Sequence, residues 1–183
     1  MIIETVIISV ILAFIRGGRL TELGNLRFRF WYLLIAGYLV QIIPRQLKAP
    51  ADTILSFSIF SYLLIVIALF FNLRSKGVYY ALAGTILNAA VIISNNGMMP
   101  VSINSITAAG YEMSVSIGQK LDALHFVSDN NVELALLSDY IPIARPYLFP
   151  QILSPGDILL CIGLFIFIQN ILLKKDQDLQ EES

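Results

Sequence analysis

Charge is scarce in this sequence. Of its 183 residues, 14% are Asp, Glu, Lys or Arg and 57% are hydrophobic, where a soluble domain carries about 25% charged residues. Mean hydropathy is +0.76. A soluble chain of this size would have to hide too much apolar surface under too little polar cover. An ordinary soluble enzyme and a disordered tail are therefore excluded. An excess of positive charge is missing too: 12 basic residues face 13 acidic ones, so a nucleic-acid binder's electrostatic footprint is absent. Cysteine is nearly absent. The single Cys161 excludes an intrachain disulfide and any cysteine-based metal cluster, and its apolar surroundings read as those of a small buried hydrophobe. Histidine is as rare, with His125 alone. What remains is an all-α integral membrane protein.

A membrane span needs roughly 20 mostly apolar residues, with a range of about 17–25. Five runs predict transmembrane helices over about 2–16, 29–47, 53–73, 78–96 and 155–173. The runs are continuous and do not alternate, which predicts helices and excludes a barrel. The first is not a cleavable signal peptide, because no basic stretch precedes it and no small-residue cleavage site follows. Loop charge sets the orientation. Arg16, Arg19, Arg27 and Arg29 follow the first span, Arg74 and Lys76 separate the third from the fourth, and Lys174 and Lys175 follow the last. The opposite side holds Arg45, Lys48, Lys120 and Arg145. The positive-inside rule then predicts a bacterial cytoplasmic-membrane protein with its N-terminus outside and its C-terminus in the cytoplasm. The expected organisation is one transmembrane bundle over 1–173. Within it lies a long extracytoplasmic segment, 98–154, and a short acidic cytoplasmic tail follows at 174–183.

In the outer segment Ile106, Gly110, Met113, Ile117, Leu121 and Leu124 recur at helical spacing, with Ser105, Glu112, Gln119 and Asp122 off that stripe. This predicts an amphipathic helix on the membrane surface or over the bundle mouth. Next comes Asp122-x-x-His125-x-x-x-Asp129-x-x-x-Glu133. On one continuous helix these would share a face suited to a metal, but Ser128 to Asn131 reads as a turn that breaks it, so no metal is expected. A structural or pH-sensing role is the default for His125. Pro142, Pro146, Pro150 and Pro155 then forbid helix and predict extended chain.

Two carboxylates stand out near the outer mouth. Asp139 lies in Leu137-Ser138-Asp139-Tyr140-Ile141-Pro142, and Asp157 lies one turn inside the last helix. Two carboxylates sharing one proton can activate water for peptide hydrolysis. Ser154 as N-cap, Pro155 at N1 and Asp157 at N3 also make a capping signature, so Asp157 has both a structural and a catalytic reading. Within the fourth span Ala81, Gly84, Asn88 and Asn95 fall on one face, and in the last Gly156, Gly163 and Asn170 recur at sevens. Both patterns suit close helix packing. His125, Asn88, Asn95 and Asn96 are the candidate ligand or pocket residues. Glu4, near the outer end of the first span, is either wet or a buried site.

Asn96-Gly97-Met98-Met99-Pro100-Val101, His125 with Leu137-Ser138-Asp139-Tyr140-Ile141-Pro142, and Ser154-Pro155-Gly156-Asp157 resemble an uncharacterised family of small bacterial multi-pass membrane proteins. That resemblance covers nearly the whole chain and implies no activity. The C-terminal third alone is similar to the end of lipoprotein signal peptidases, where one catalytic Asp precedes an aromatic residue and a second opens the last helix. This implies Asp139 and Asp157 as a catalytic dyad. The Gly-Asn and Asp-Arg pair that precedes the first Asp in that family is absent here.

Three functional readings follow. The first is a non-enzymatic binding or accessory subunit with a polar site at the outer mouth, whose partners are membrane lipids and another membrane or extracytoplasmic protein. The second is an aspartate-dyad intramembrane peptidase. The third is a small transport or channel subunit lined by Asn88, Asn95 and Glu4. No cofactor is expected.

Overall fold

Each of the five apolar runs folds as a helix in the computed structural model, which describes residues 1–111, 115–129, 131–147 and 149–173. α1 spans Ile2–Ile15, α2 Trp31–Gln46, α3 Ala51–Phe70 and α4 Val78–Ser94. A short α5 covers Ile103–Ala108, and α6 covers Pro155–Leu172. Among the described residues α3 and α6 are long and apolar enough to cross a membrane, while α1, α2 and α4 are shorter apolar helices. The helix ends obey local signals. Pro50 is the N-cap of α3, and Ser154 caps α6 with Pro155 at its first position. Pro44 falls inside α2 near its end, where it withholds the N–H that the Val40 carbonyl would accept and weakens the last turn. The expected acidic tail lies outside the described residues.

The helices pack in the order α2, α3, α4, α6, α1, so the last helix lies between the fourth and the first. The two small-residue faces anticipated from the sequence meet each other in the α4–α6 contact. A Cβ on Gly163 would stand 2.5 Å from the Ala81 backbone nitrogen and 2.6 Å from the Gly77 carbonyl oxygen. Only a residue without a side chain lets the two backbones approach this closely. Polar side chains tie the other pairs. Ser61 Oγ donates to the Gly37 carbonyl at 2.7 Å, joining α3 to α2. Ser9 Oγ donates to the Phe165 carbonyl at 3.1 Å, joining α1 to α6. Gln169 Nε2 returns a bond to the Ser9 carbonyl at 2.5 Å. The outward faces carry exposed Ile7, Ile11, Ile35, Leu39, Ile59 and Leu63.

The outer segment is built differently. β1 (Met99–Ser102) pairs in parallel with β2 (His125–Ser128), with Met99 opposite His125 and Ser102 opposite Ser128. On the other edge of β1, the Asp139 amide donates to the Pro100 carbonyl at 3.0 Å, and the Ser102 amide donates to the Asp139 carbonyl at 2.9 Å. β3 (Ile141–Ile143) and β4 (Gln151–Leu153) form an antiparallel pair that leads into α6. Of the four prolines expected in extended chain, Pro142 lies in β3 and Pro150 just before β4, whereas Pro146 lies in a turn and Pro155 begins α6. A small core of Val101, Ile106 and Val127, with Leu121 and Ile152 against it, holds this layer together.

The predicted amphipathic helix through Ile106 and Leu124 does not form. Helix ends at Ala108, and Gly110 and Gly118 adopt φ of +82°, a left-handed conformation that interrupts a right-handed helix. Gly118 instead donates to the Val127 carbonyl at 2.8 Å, and Val127 donates back to Gln119 at 2.8 Å. Ile106 and Leu121 reach one core from two separate pieces of chain. Their spacing therefore imitated helical periodicity. Glu112 and Met113 lie outside the described residues.

Candidate functional site

Asp157 holds its place through the capping signature. Its backbone amide donates to Ser154 Oγ at 3.0 Å, and its Oδ2 accepts from the Ser154 amide at 3.2 Å. These bonds close the capping box at the N-terminus of α6, where a carboxylate also favours the helix dipole. Capping does not exhaust the side chain. Asn88 Nδ2, from α4, donates to Asp157 Oδ1 at 2.8 Å, and Ser154 Oγ donates to Asn88 Oδ1 at 2.9 Å. Asn88, Ser154 and Asp157 thus form a closed triangle across the α4–α6 interface.

Asp139 is set by β1, whose edge grips its backbone on both sides. The residue is 5% exposed. Among the described residues its Oδ1 has no hydrogen-bond partner, and its Oδ2 stands 3.6 Å from His125 Nε2, too far for a hydrogen bond. Burial, followed by the charges of Asp157 and Asp122, pushes its carboxyl up from 3.8 to about 8. Asp139 is accordingly a protonated acid near neutral pH.

His125 opens β2. Its Nδ1 lies 2.9 and 2.8 Å from the two Asp122 carboxylate oxygens, which places the proton on Nδ1 and turns Nε2 towards Asp139. Asp122 is itself fixed by the amides of Leu124 at 2.6 Å and His125 at 2.9 Å, a local Asx turn. The four-residue metal pattern is dispersed. Asp129 bonds Asn131 instead, and among the described residues no group of three His, Cys, Asp or Glu is placed to hold a metal.

These residues converge on a cleft of about 600 Å³. Its polar lining comes from Glu4, His125, Asp139, Gln151 and Asp157, and its apolar walls include Ile3, Ile7, Phe149 and Ile152. A second cavity of about 440 Å³, between Tyr111, Leu121 and Asp122, lies on the other side of Asp139, His125, Gln151 and Ile152. Those four residues form the partition. Gln151 also anchors α1: its Oε1 accepts from the Met1 amino group, its Nε2 donates to Glu4 at 3.3 Å, and the amino group pairs with Glu4 at 2.7 Å.

Of the sequence candidates, His125, Asp139 and Asp157 line the cleft, and Asn88 joins its edge through Asp157. Asn95 Nδ2 bonds the carbonyls of Val91 at 2.8 Å and Glu133 at 2.9 Å, tying the end of α4 to the outer segment. Asn96 takes a left-handed turn conformation, φ 55°. Neither Asn95 nor Asn96 lines the two cavities. Gln151 is the residue that sequence reasoning missed, and no local signal marks it. Asp122 did have one, because an acid followed by a tight three-residue return announces the Asx turn.

A family model matches residues 25–169. The chain belongs to DUF5317, a family of unknown function. Asn88, His125, Asp139, Gln151 and Asp157 all fall inside the DUF5317 match, whereas α1 precedes it. An uncharacterized protein of Thermotoga maritima is 25% identical over 168 residues, covering 91% of this chain and 89% of that protein. No solved structure matches. Membership of DUF5317 agrees with the resemblance to an uncharacterised family, and it lends the resemblance to lipoprotein signal peptidases no support.

Proposed function

We propose that this DUF5317 chain is a multi-pass protein of the bacterial cytoplasmic membrane that binds an amphiphilic ligand in the Asp139 cleft at its outer mouth. In this reading five helices cross the membrane, the N-terminus lies outside and the C-terminus is cytoplasmic. Several features support the membrane placement. Only 28% of the apolar window of α3 and 33% of that of α6 is buried within the protein, unlike the core helices of a soluble domain. The shorter helices pack in the same row and expose large aliphatic side chains. A C-terminal reporter fusion tests the orientation, with a cytoplasmic signal expected and a periplasmic one overturning it.

The observation that carries the binding reading is a buried carboxyl with an unpartnered oxygen in an otherwise largely apolar cleft. Such an atom is costly to leave unmatched, and a few convergent polar groups within apolar walls are the usual make-up of a ligand site. Its exposed apolar wall, Ile2, Ile3 and Ile7 of α1, suits a molecule with a hydrocarbon part. Photo-crosslinking with diazirine-bearing alkyl amphiphiles, mapped by mass spectrometry, is expected to label Ile3, Ile7 or Phe149. Labelling confined to the outer faces of α2 and α3 would sink the proposal. An extracytoplasmic protein partner is compatible with the same cleft.

One observation favours a second reading, an aspartic intramembrane endopeptidase. Asp139 and Asp157 line the same cleft, and the charge of Asp157 helps keep Asp139 protonated. This one-proton arrangement is the one that water activation by two carboxylates requires. Asp139→Asn and Asp157→Asn are then expected to abolish prolipoprotein processing in cells relying on this chain, and wild-type processing would remove the reading. Transport has less support, because Asn88 and Asn95 are bonded to separate structural partners.

A further inference from the structure

We propose that the ligand of this cleft carries a protonated amine as its head group, which pairs with Asp139 and sends that residue's proton to His125. The inference rests on the binding reading above and names the chemistry of the ligand. Every formal charge lining the cleft from a side chain is acidic or histidine: Glu4 from α1, Asp157 from α6, Asp139 beside β1 and His125 from β2. Neither Lys nor Arg is among the lining residues. The one other cation there, the Met1 amino group, is already held by Glu4 and Gln151. An anionic head would meet this ring with nothing to neutralise it, and a neutral head would give Asp139 a hydrogen bond without a balancing charge. An ammonium group supplies both a charge and several N–H donors, and Asp139 Oδ1 is an acceptor without a partner.

The proton then has a defined place to go. Before binding, Asp139 carries it, and the proton on His125 Nδ1 faces Asp122. As the ammonium arrives, the O–H bond of Asp139 breaks and an N–H bond forms at His125 Nε2. Charge balances: the new Asp139 carboxylate pairs with the ammonium, and the new imidazolium pairs with Asp122. The gap of 3.6 Å has to close to an ordinary hydrogen-bond length of about 3 Å for the transfer. His125 and Asp139 also line the second cavity, next to Asp122, and the transferred proton stays within the His125–Asp122 pair. The groups facing Asp139 in this exchange are His125 and Asp122, Asp157 of α6, and the Glu4–amino pair of α1.

The test uses the full chain in phosphatidylcholine nanodiscs and three diazirine probes of equal chain length: an alkylamine, an alkyl sulfate and an alkanol. The amine is expected to label the cleft about tenfold more than the other two, the factor one charge-assisted hydrogen bond supplies. The ring resonances of His125, the single histidine of the sequence, are expected to move to those of an imidazolium when the amine is added to wild type and to stay unchanged in Asp139→Asn. Equal labelling by the sulfate or the alkanol overturns the head-group inference while leaving amphiphile binding in place. Cleft labelling by none of the three overturns both. The probe comparison needs wild-type protein alone, so a folding defect in the variant does not blunt it. Amine binding with the His125 ring signals unchanged overturns the transfer to His125.

Discussion

In the helix row Ser9, Ser58, Ser61, Asn72, Thr85 and Gln169 are buried, and each makes a hydrogen bond, mostly to a backbone carbonyl of its own or a neighbouring helix. In the outer segment Ser128 Oγ and Asp139 Oδ1 are buried with no partner among the described residues. The two regions thus use polar atoms differently. Within the row, a polar side chain fastens helices whose apolar faces alone would slide past one another. In the outer segment Ser105 and Ser138 also bond backbone carbonyls, but Asp139 Oδ1 is left unmatched beside a cavity, at a cost in stability. Removing a polar atom should therefore act in opposite directions in the two regions.

The largest effect is expected where the row is tightest. Gly163→Val would push a branched side chain into the Gly77 and Ala81 backbone, and overpacking against backbone costs about 3 kcal/mol or more. Thermal unfolding in detergent should show a large loss of stability. A wild-type midpoint would mean that α4 and α6 do not touch there.

Asp139→Asn should do the reverse. The folded state holds the Asp139 proton up to about pH 8, whereas the unfolded carboxyl releases it near 3.8. Wild-type stability therefore falls as pH rises between those values, by up to about 1.4 kcal/mol per unit, and levels off above the upper one. Asn has no proton to lose, so its stability relative to wild type should grow across that window. Unfolding midpoints at several pH values read this out, and a constant difference would show that Asp139 is charged in the folded protein.

Asn88→Ala should cost about 1–3 kcal/mol, because Asp157 Oδ1 and Ser154 Oγ each lose a partner. A neutral outcome would mean that water fills the α4–α6 triangle. The smallest effects make the sharpest pair. Ser61→Ala removes the bond to Gly37 and should cost about 0.5–1.5 kcal/mol. Ser128→Ala removes a hydroxyl that bonds nothing and should be neutral or slightly stabilising. Equal losses from both would dissolve the contrast between the regions.

The same contrast explains what was legible in advance. A helix of the row is written in consecutive residues, so the five runs stand out as local patterns, and the glycine spacing in α6 and small-residue face of α4 even announce their contact. The capping role of Asp157 is written in Ser154-Pro155-Gly156. The outer segment depends on pairings between distant residues, Met99 with His125 and Pro100 with Asp139. No window of sequence contains both partners, and apolar residues feeding one small core from two separate pieces of chain passed for a helix. Candidate site residues were found by their chemistry alone. The burial of Asp139, and the place of Gln151 in the partition, depend on those distant pairings.

The β1 strip has a consequence for how such proteins diverge. It is a fixed rail: β2 docks on one edge, bringing His125, and the Asp139 backbone docks on the other. Between these stations, residues 118–122 also bond β2 and set His125, whereas residues 131–137 hang from the rail without setting its register. Replacement of residues 131–137 would alter what surrounds the cleft while leaving the acid and the imidazole facing each other. A fold wired this way can exchange the surroundings of its site piece by piece, with the chemistry held on a separate support.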